Sequence, residues 1–197
     1  VGGAIVDSGN FDWMAHADKF PGLTTPDDSY HGVTYAKDFG KGAFITKATA
    51  QLMRDFGSTP APMNSWIMGM HLESLAVRMQ RHCENAQKVA EFLNDKYHAL
   101  AEKYMPNGTC GVISFGVPGG RDKVSALLDH FKMISIATHV ADARSCALYP
   151  AGTTHRQLTE EQLDEAGVGI DLVRLSCGIE NADDIIADLR QAMDAVL

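Results

Sequence analysis

The chain has 197 residues, of which 45% are hydrophobic and 21% charged, and its net charge is −8. Without a basic stripe, that acidic balance argues against a nucleic-acid partner, because phosphate contacts require clustered Lys and Arg. No apolar run approaches the ~20 residues of a membrane span, and no charged and then apolar leader resembles a signal peptide. We therefore predict an ordinary globular protein of the cytoplasm, with no membrane and no nucleic-acid partner.

Four cysteines, Cys83, Cys110, Cys146 and Cys177, are widely spaced along the chain. They form no C-x-x-C pair and have no histidine at metal-site spacing, so we predict no metal centre. Reduced, mostly buried thiols are the expected state of such cysteines in a cytosolic protein.

The first 60 residues predict few long elements. Residues 4–7 are apolar after a glycine pair and predict a strand, and residues 11–20 predict a short helix. Residues 23–42 are rich in Thr, Pro, Asp, Gly and Tyr, which predicts a long loop of the kind that is functional or packs on a partner. Residues 43–56 predict a helix that ends at Gly57.

A single long helix is predicted next, from about residue 60 to about residue 93. Thr59 and Pro60 are typical of an N-cap followed by a first-turn proline. Spacings of three and four then place one apolar stripe along the helix, made of Ile67, Met68, Leu72, Leu75, Met79, Cys83, Ala86, Val89 and Leu93. A helix of this length can join two domains, so we predict a boundary near Pro60, with domains at 1–60 and 61–197.

The C-terminal region alternates short strands with helices. Strands are predicted at 110–117, 134–137, 146–149 and 171–177. Apolar residues at i, i+3, i+4 and i+7 predict a helix from Val124 to Phe131, Thr159 and Gln162 fit a capping box, and a final helix begins near Asn181. The short connections indicate an α/β chain whose C-terminal part is α+β with a small, largely antiparallel sheet.

Arg174 is the most unusual residue of the last strand. Because side chains alternate along a strand, Val173, Leu175 and Cys177 share a core face, and Arg174 lies opposite with Ser176. A guanidinium is always charged and its planar fork suits a carboxylate or a phosphate. Spacing alone nevertheless favours a solvated Arg174 over a ligand site, because buried arginines are rare.

Other candidate groups are individually weak. His31, His139 and His155 could act as acid–base groups near neutral pH, but isolated histidines are more often structural. The adjacent acids at 27–28 are typical of a solvated loop, and Ser145 has no neighbouring histidine that would mark a nucleophile. The sequence contains no glycine-rich phosphate loop and no metalloprotease motif.

Four stretches nevertheless carry a resemblance to a known family. They are GGAIVDSGNFDW at 2–13, LAVRMQRHCENA at 75–86, TTHRQLT at 153–159 and VRLSCGIE at 173–180. Together they resemble the Cys/Met-metabolism family of pyridoxal-phosphate (PLP) enzymes. The loop PGLTTPDDSYHG at 21–32 favours the O-acetylhomoserine sulfhydrylase branch over the methionine γ-lyase branch.

The resemblance implies a fold-type-I PLP-dependent transferase. Residues 1–60 would be the C-terminal part of the large PLP-binding domain, and residues 61–197 the small C-terminal domain. It implies that Arg174 binds the substrate α-carboxylate, that Ser145 lies near the same carboxylate, and that Thr154 and His155 lie near the site. It also implies a homotetramer that uses PLP, a small amino-acid substrate and sulfide or a thiol.

The lysine that forms the Schiff base with PLP is expected shortly before Val1, so we assign no catalytic residue within this sequence. The lysines before the predicted boundary (Lys19, Lys37, Lys41 and Lys47) do not match the family context. The family also carries a strand-and-turn segment where Asn94 here runs into Asp95. Both departures predict an incomplete sequence.

The implied activity is γ-replacement, in which sulfide or a thiol displaces acetate from O-acetyl-L-homoserine and gives homocysteine or methionine. Two alternatives stay open. One is a PLP lyase of the same family acting on methionine or cystathionine. The other is a non-catalytic fragment that serves as an assembly module.

Overall fold

The computed structural model describes residues 2–93, 108 and 110–197. They belong to two compact units, Val1–Leu72 and Glu73–Leu197. The domain boundary predicted near Pro60, from the helix length and from the family resemblance, stays a prediction. The departure expected at Asn94 and Asp95 lies outside the described residues.

Short helices make up the first unit. They are α1 (Pro21–Thr24), α2 (Tyr35–Phe39), α3 (Ala43–Lys47), a π-helical turn (Ala48–Met53), α4 (Arg54–Phe56) and α5 (Pro62–Glu73), with 3-10 turns at Met14–His16, Asp28–Tyr30 and Gly40–Gly42. The predicted helix over 43–56 is thus confirmed, and it ends at Gly57 in the left-handed conformation (φ 65°). Left-handed backbone suits glycine, which has no Cβ to clash.

Two predictions for the start of the chain are wrong. Residues 4–7 form no strand, and Ile5 and Val6 are exposed. A strand requires a neighbour for its backbone groups, and the described residues supply none here. Only a single 3-10 turn, Met14–His16, forms where a helix over 11–20 was predicted.

The predicted loop over 23–42 contains helical turns around a small core. Tyr35 and Ala43 are almost fully buried and pack with Leu23. Trp13 stacks on Phe44, with ring centroids 5.8 Å apart. The loop composition therefore correctly predicted the absence of long elements, but it missed the short helices α1 and α2.

The predicted long helix is two helices. Helix α5 ends at Glu73, and α6 (Leu75–Leu93) begins after Ser74. The first helix buries none of its residues, because apolar side chains such as Trp66 and Met70 are spread around it. Helix α6 has the predicted stripe and buries Ala86 and Val89 against the core of the second unit.

The second unit contains a four-stranded sheet in the order β1-β4-β3-β2. The strands are β1 (Val112–Gly116), β2 (Ser135–Ile136), β3 (Cys146–Leu148) and β4 (Leu172–Ser176). Strand β4 pairs antiparallel with both β1 and β3, whereas β2 and β3 are parallel. The prediction of a small, largely antiparallel sheet is therefore confirmed.

One face of this sheet carries the hydrophobic core. Helices α6, α7 (Gly120–Asp129) and α9 (Ala182–Val196) supply the apolar residues that pack on Val173 and Leu175 of β4. Helix α8 (Glu160–Glu165) begins with the predicted capping box, in which Thr159 and Gln162 exchange both hydrogen bonds. Across residues 2–93, 108 and 110–197, no helix has the length and apolarity that a bilayer crossing requires.

A buried carboxylate ties α9 to the start of β2. Asp188 is 5% exposed and accepts hydrogen bonds from the backbone N–H groups of Lys132, Met133 and Ile134 at 2.8–3.2 Å. Burial raises the pKa of Asp188, but the three N–H donors and Gln191 hold it below its ordinary value. Asp188 is thus a structural anion of the second unit.

A candidate carboxylate site on strand β4

Arg174 lies on the face of the sheet opposite the hydrophobic core. Its neighbours along β4, Val173 and Leu175, are fully buried on the core side. Across the sheet, Arg174 is in register with Ser114 of β1 and Leu148 of β3. The alternation expected from the sequence is confirmed, and it places one half-buried guanidinium in the middle of this face.

The guanidinium is anchored at one nitrogen and unpaired at another. Nη2 donates a hydrogen bond of 3.0 Å to the backbone carbonyl of Thr138. Nε is buried and has no hydrogen-bond partner among the described residues. A buried unpaired donor costs roughly 1–3 kcal/mol, so this arrangement fits an acceptor that arrives from outside. Spacing alone favoured a fully solvated Arg174. The buried Nε shows that this interpretation is wrong for part of the guanidinium.

A loop between β2 and β3 covers the same face. Ala141 donates from its backbone N–H to Ser176 Oγ at 3.1 Å, and Ala143 accepts at its carbonyl from Ile179 N–H at 2.9 Å. Ala141 has a positive φ of 58°. A non-glycine residue in this conformation costs energy and persists only where its surroundings fix it. The loop that presents the Thr138 carbonyl to Arg174 is therefore held at Ala141 and at Ala143.

Ser145 is buried, and Glu180 occupies its polar groups. Its backbone N–H donates to Glu180 Oε1 at 2.6 Å, and its hydroxyl donates to Oε2 at 3.0 Å. The hydroxyl oxygen also accepts from Gly178 N–H at 2.9 Å. The groups of Ser145 that the family resemblance assigns to a substrate carboxylate are thus already engaged with a carboxylate of this chain. Direct contact of Ser145 with substrate stays a prediction.

Gly178 is required by close packing at this turn. A Cβ at this position would lie 2.5 Å from Ala143 O and would also overlap Glu180. Glycine is the residue that permits such a close approach of backbone and ligand. Gly178, two residues past the end of β4, therefore lets Glu180 reach Ser145.

Two polar side chains of α6 bind the turn that follows β4. His82 Nδ1 lies 2.6 Å from Cys177 O, and Asn85 Nδ2 donates to Gly178 O and Glu180 O at 2.9 and 2.8 Å. Both side chains are buried. Sequence reasoning assigned them no role, although polar residues at i and i+3 beside an apolar stripe were the available signal.

The remaining candidates are less closely connected. Thr154 is exposed, and its Oγ1 lies 2.9 Å from Nδ1 of the half-buried His155. Neither is hydrogen-bonded to Arg174 or Ser145, so their place near the site stays a prediction. His31 and His139 are exposed.

The acid pair at 27–28 has a structural partner in the first unit. Lys47 Nζ bonds to Asp27 Oδ2 at 2.9 Å and to Gly22 O at 2.7 Å. Hydrogen bonds from Ser29 and Lys47 hold the pKa of Asp27 well below its usual range. Asp27 is thus paired where a solvated acid was expected. That Lys47 is not the Schiff-base lysine stays a prediction.

Comparison with known proteins identifies the family. The family model for Cys/Met metabolism PLP-dependent enzymes matches residues 1–194. The O-acetyl-L-homoserine sulfhydrylase of Corynebacterium glutamicum is 41% identical over all of this chain and 49% of its own length. The homocysteine synthase of Schizosaccharomyces pombe is 39% identical, over 98% of this chain and 49% of its own.

A crystal structure from Campylobacter jejuni matches the fold. That protein is described as a candidate O-acetylhomoserine (thiol)-lyase with a pyridoxyl-lysine monophosphate residue. It superposes with a TM-score of 0.76 at 36% identity, over 90% of this chain and 45% of its own.

The mixed sheet with its helices, together with these matches, defines part of a fold-type-I PLP-dependent enzyme. The chain belongs to the Cys/Met metabolism family of PLP-dependent enzymes. It spans about half the length of the curated relatives it matches. The predicted family, fold class and cofactor are therefore confirmed.

Among the described residues, Arg174 offers a carboxylate a charged donor, Nε, that has no hydrogen-bond partner of its own. Within the part of the chain that the structure describes, no group of His, Cys, Asp and Glu could hold a metal ion.

Proposed function

We propose that this chain is part of an O-acetyl-L-homoserine sulfhydrylase, in which sulfide or a thiol replaces acetate and gives homocysteine or methionine. Curated relatives with sulfhydrylase and homocysteine synthase names support this proposal over a lyase. The loop PGLTTPDDSYHG at 21–32 supports the same branch. PLP, when bound, supplies the electron sink that allows proton loss at Cα and then at Cβ of the substrate.

In this proposal, Arg174 binds and orients the substrate α-carboxylate. The single observation that carries it is the buried, unpaired Nε beside an anchored Nη2. An incoming carboxylate would satisfy Nε and meet a cation that no Asp or Glu of the described residues neutralises. Because the Thr138 carbonyl fixes the guanidinium plane, the carboxylate would meet a preorganised fork.

The effect of such a contact on binding is substantial. A charge-assisted hydrogen bond contributes about 1.5–3 kcal/mol, which corresponds to roughly 10- to 150-fold in KM. Precise orientation of the substrate also lowers the barrier, because the reacting groups start close to their productive geometry. In this account Arg174 supplies binding and positioning, and it moves no proton itself.

Ser145, Thr154 and His155 take supporting positions in this proposal. Ser145 would act mainly through Glu180, since its N–H and hydroxyl are both bonded to that carboxylate. Thr154 and His155 follow β3, directly after the 3-10 turn Pro150–Gly152 that packs near β4. We propose them as near-site residues of the same substrate pocket.

The reaction itself can be tested with the PLP-bound full-length enzyme. Acetate release from O-acetyl-L-homoserine should depend on added sulfide or thiol, and homocysteine or methionine should form in equal amount. Release of α-ketobutyrate from methionine or cystathionine without a thiol would instead establish the lyase alternative. Absence of PLP absorbance near the visible edge would establish the non-catalytic alternative.

We also propose a homotetramer in the cytoplasm, on the family resemblance. The expected mass by analytical ultracentrifugation is four times that of the full-length chain. A monomer under the conditions of the activity assay would contradict this proposal.

A further inference from the structure

We propose that Asn85, together with His82, is a positioning residue for the carboxylate site of Arg174. This inference rests on the proposed function, because it requires that Arg174 binds a substrate carboxylate. Asn85 and His82 touch neither Arg174 nor the open face of the sheet in the contacts described above. They would act through the segment Cys177–Glu180, which we term the junction.

The junction begins where the sheet ends. Strand β4 ends at Ser176, so the strands provide no donors for the carbonyls that follow it. The side chains of α6 supply them: His82 binds Cys177 O, and Asn85 binds both Gly178 O and Glu180 O. Three carbonyls of a four-residue segment are therefore held by two side chains that lie three residues apart on one helix.

The other side of the junction holds the elements that surround Arg174. Gly178 N–H and the Glu180 carboxylate bind Ser145, and Ile179 N–H binds Ala143 O. Ser145 and Ala143 end the loop whose Thr138 carbonyl anchors Arg174 Nη2. A shift of the junction would therefore move both the end of β4 and the loop that fixes the guanidinium.

The chemistry of the two side chains fits positioning better than stabilisation alone. A carbonyl oxygen only accepts, so the proton shared with Cys177 O sits on His82 Nδ1, and in the neutral imidazole Nε2 is then an acceptor. His82 Nε2 and Asn85 Oδ1 are both buried without a hydrogen-bond partner among the described residues. Buried unpaired acceptors reduce stability. His82 and Asn85 thus each leave one buried polar atom unpaired, which reduces stability, while their other polar atoms bind the junction carbonyls. This combination favours a role in positioning the junction.

A carboxylate-specific binding experiment tests the proposal. L-Norleucine and n-pentylamine differ only by the carboxylate, so their inhibition constants in the PLP-bound full-length enzyme isolate the contact with Arg174. For Asn85→Ala we expect the inhibition constant of L-norleucine to rise about tenfold, the effect of a weakened charged hydrogen bond. The constant of n-pentylamine should change less than about twofold. Equal weakening of both probes would overturn the proposal.

A double variant separates positioning from general damage. In an Arg174→Ala background, Asn85→Ala should have no further effect on L-norleucine, because the residue through which it acts is absent. Additive effects would overturn the proposal. If Arg174→Ala alone leaves L-norleucine unaffected, the proposed function of Arg174 fails. If only Asn85→Ala is without effect, the proposed function stands and this inference fails.

Conservative variants of His82 provide an independent arm should Asn85→Ala fail to fold. The Asn amide nitrogen can replace Nδ1, so His82→Asn should keep the norleucine-to-pentylamine preference. His82→Gln, whose amide extends toward the Nε2 position, should lose about as much as Asn85→Ala. Identical behaviour of the two variants would contradict the proposal.

Asp188→Asn is the matched control, because it disturbs a buried polar anchor of the same unit whose hydrogen bonds go to residues 132–134 and Gln191 and not to the junction. It should lower Tm while leaving the preference between the two probes unchanged. A loss of preference in this control would overturn the assignment of the effect to the junction.

Discussion

Arg174 Nη2 donates to the Thr138 carbonyl across 36 residues of sequence, and the same guanidinium keeps its Nε buried and unpaired. The bond to Thr138 fixes the plane of the guanidinium. The unpaired Nε is a donor that an anion could use. Together they describe an arginine that is oriented before any ligand arrives.

Replacing Arg174 with lysine should separate charge from geometry. Lysine keeps the positive charge but loses the planar fork and the anchored Nη2, so we expect KM for O-acetyl-L-homoserine to rise about tenfold or more. Steady-state kinetics on the full-length enzyme measure this. The matched control is Arg190→Lys on α9, whose guanidinium lies over the Phe92 ring and which should leave KM unchanged. Equal KM values for wild type and Arg174→Lys would contradict the role of the fork.

Gly178→Ala should disrupt the junction. The added methyl group would overlap Ala143 O and Glu180, so it must displace backbone as well as side chain. We expect a loss of about 1–3 kcal/mol in the free energy of unfolding. Urea titration measures it. Gly69→Ala is the control, because a Cβ there meets nothing within 4 Å and alanine favours helix. If Gly178→Ala were as stable as Gly69→Ala, the junction would accommodate a methyl group at residue 178 without loss of stability, and the prediction would be wrong.

Asp188 should contribute to stability at neutral pH and lose that contribution in acid. Its pKa in the folded state lies below the ordinary value of 3.8, since the donors outweigh burial. Unfolding therefore takes up protons, and stability falls as pH drops from about 5 through the folded pKa. Asp188→Asn should flatten this acid limb in a Tm-against-pH series. The variant should also be about 1–3 kcal/mol less stable at pH 7, because an amide N–H would face backbone donors. An unchanged acid limb would refute the assignment.

Lys47→Arg should retain PLP. Lys47 Nζ is occupied by Asp27 and Gly22, and it lies 4.8 Å from the centre of the Tyr35 ring. We therefore expect full visible absorbance of the cofactor in the full-length variant. Loss of that absorbance without loss of folding would identify Lys47 as the Schiff-base lysine.

Local patterns predicted the second unit well. Alternation along 171–177 and the capping box at Thr159 depend on neighbours in sequence, and both are confirmed. The helix break at Ser74 was missed because the apolar spacing continues across it. The strand predicted at 4–7 was wrong because apolar composition does not supply a pairing partner.

The site itself could be predicted only in part. Family resemblance directed attention to Arg174, whereas spacing alone favoured solvent. The bonds that define its surroundings join residues far apart in sequence, such as Ser145 with Glu180 and Asn85 with Gly178. No local pattern encodes such contacts, so Glu180, His82 and Asn85 emerged only from the fold.

The most direct test of the central claim is KM for O-acetyl-L-homoserine in the Arg174→Ala full-length enzyme, with PLP content measured on the same sample. We expect KM to rise about 10-fold or more while PLP absorbance is retained, because the carboxylate contact is lost and the cofactor is held by other residues. An unchanged KM with full PLP content would contradict the assignment of Arg174 to the substrate carboxylate.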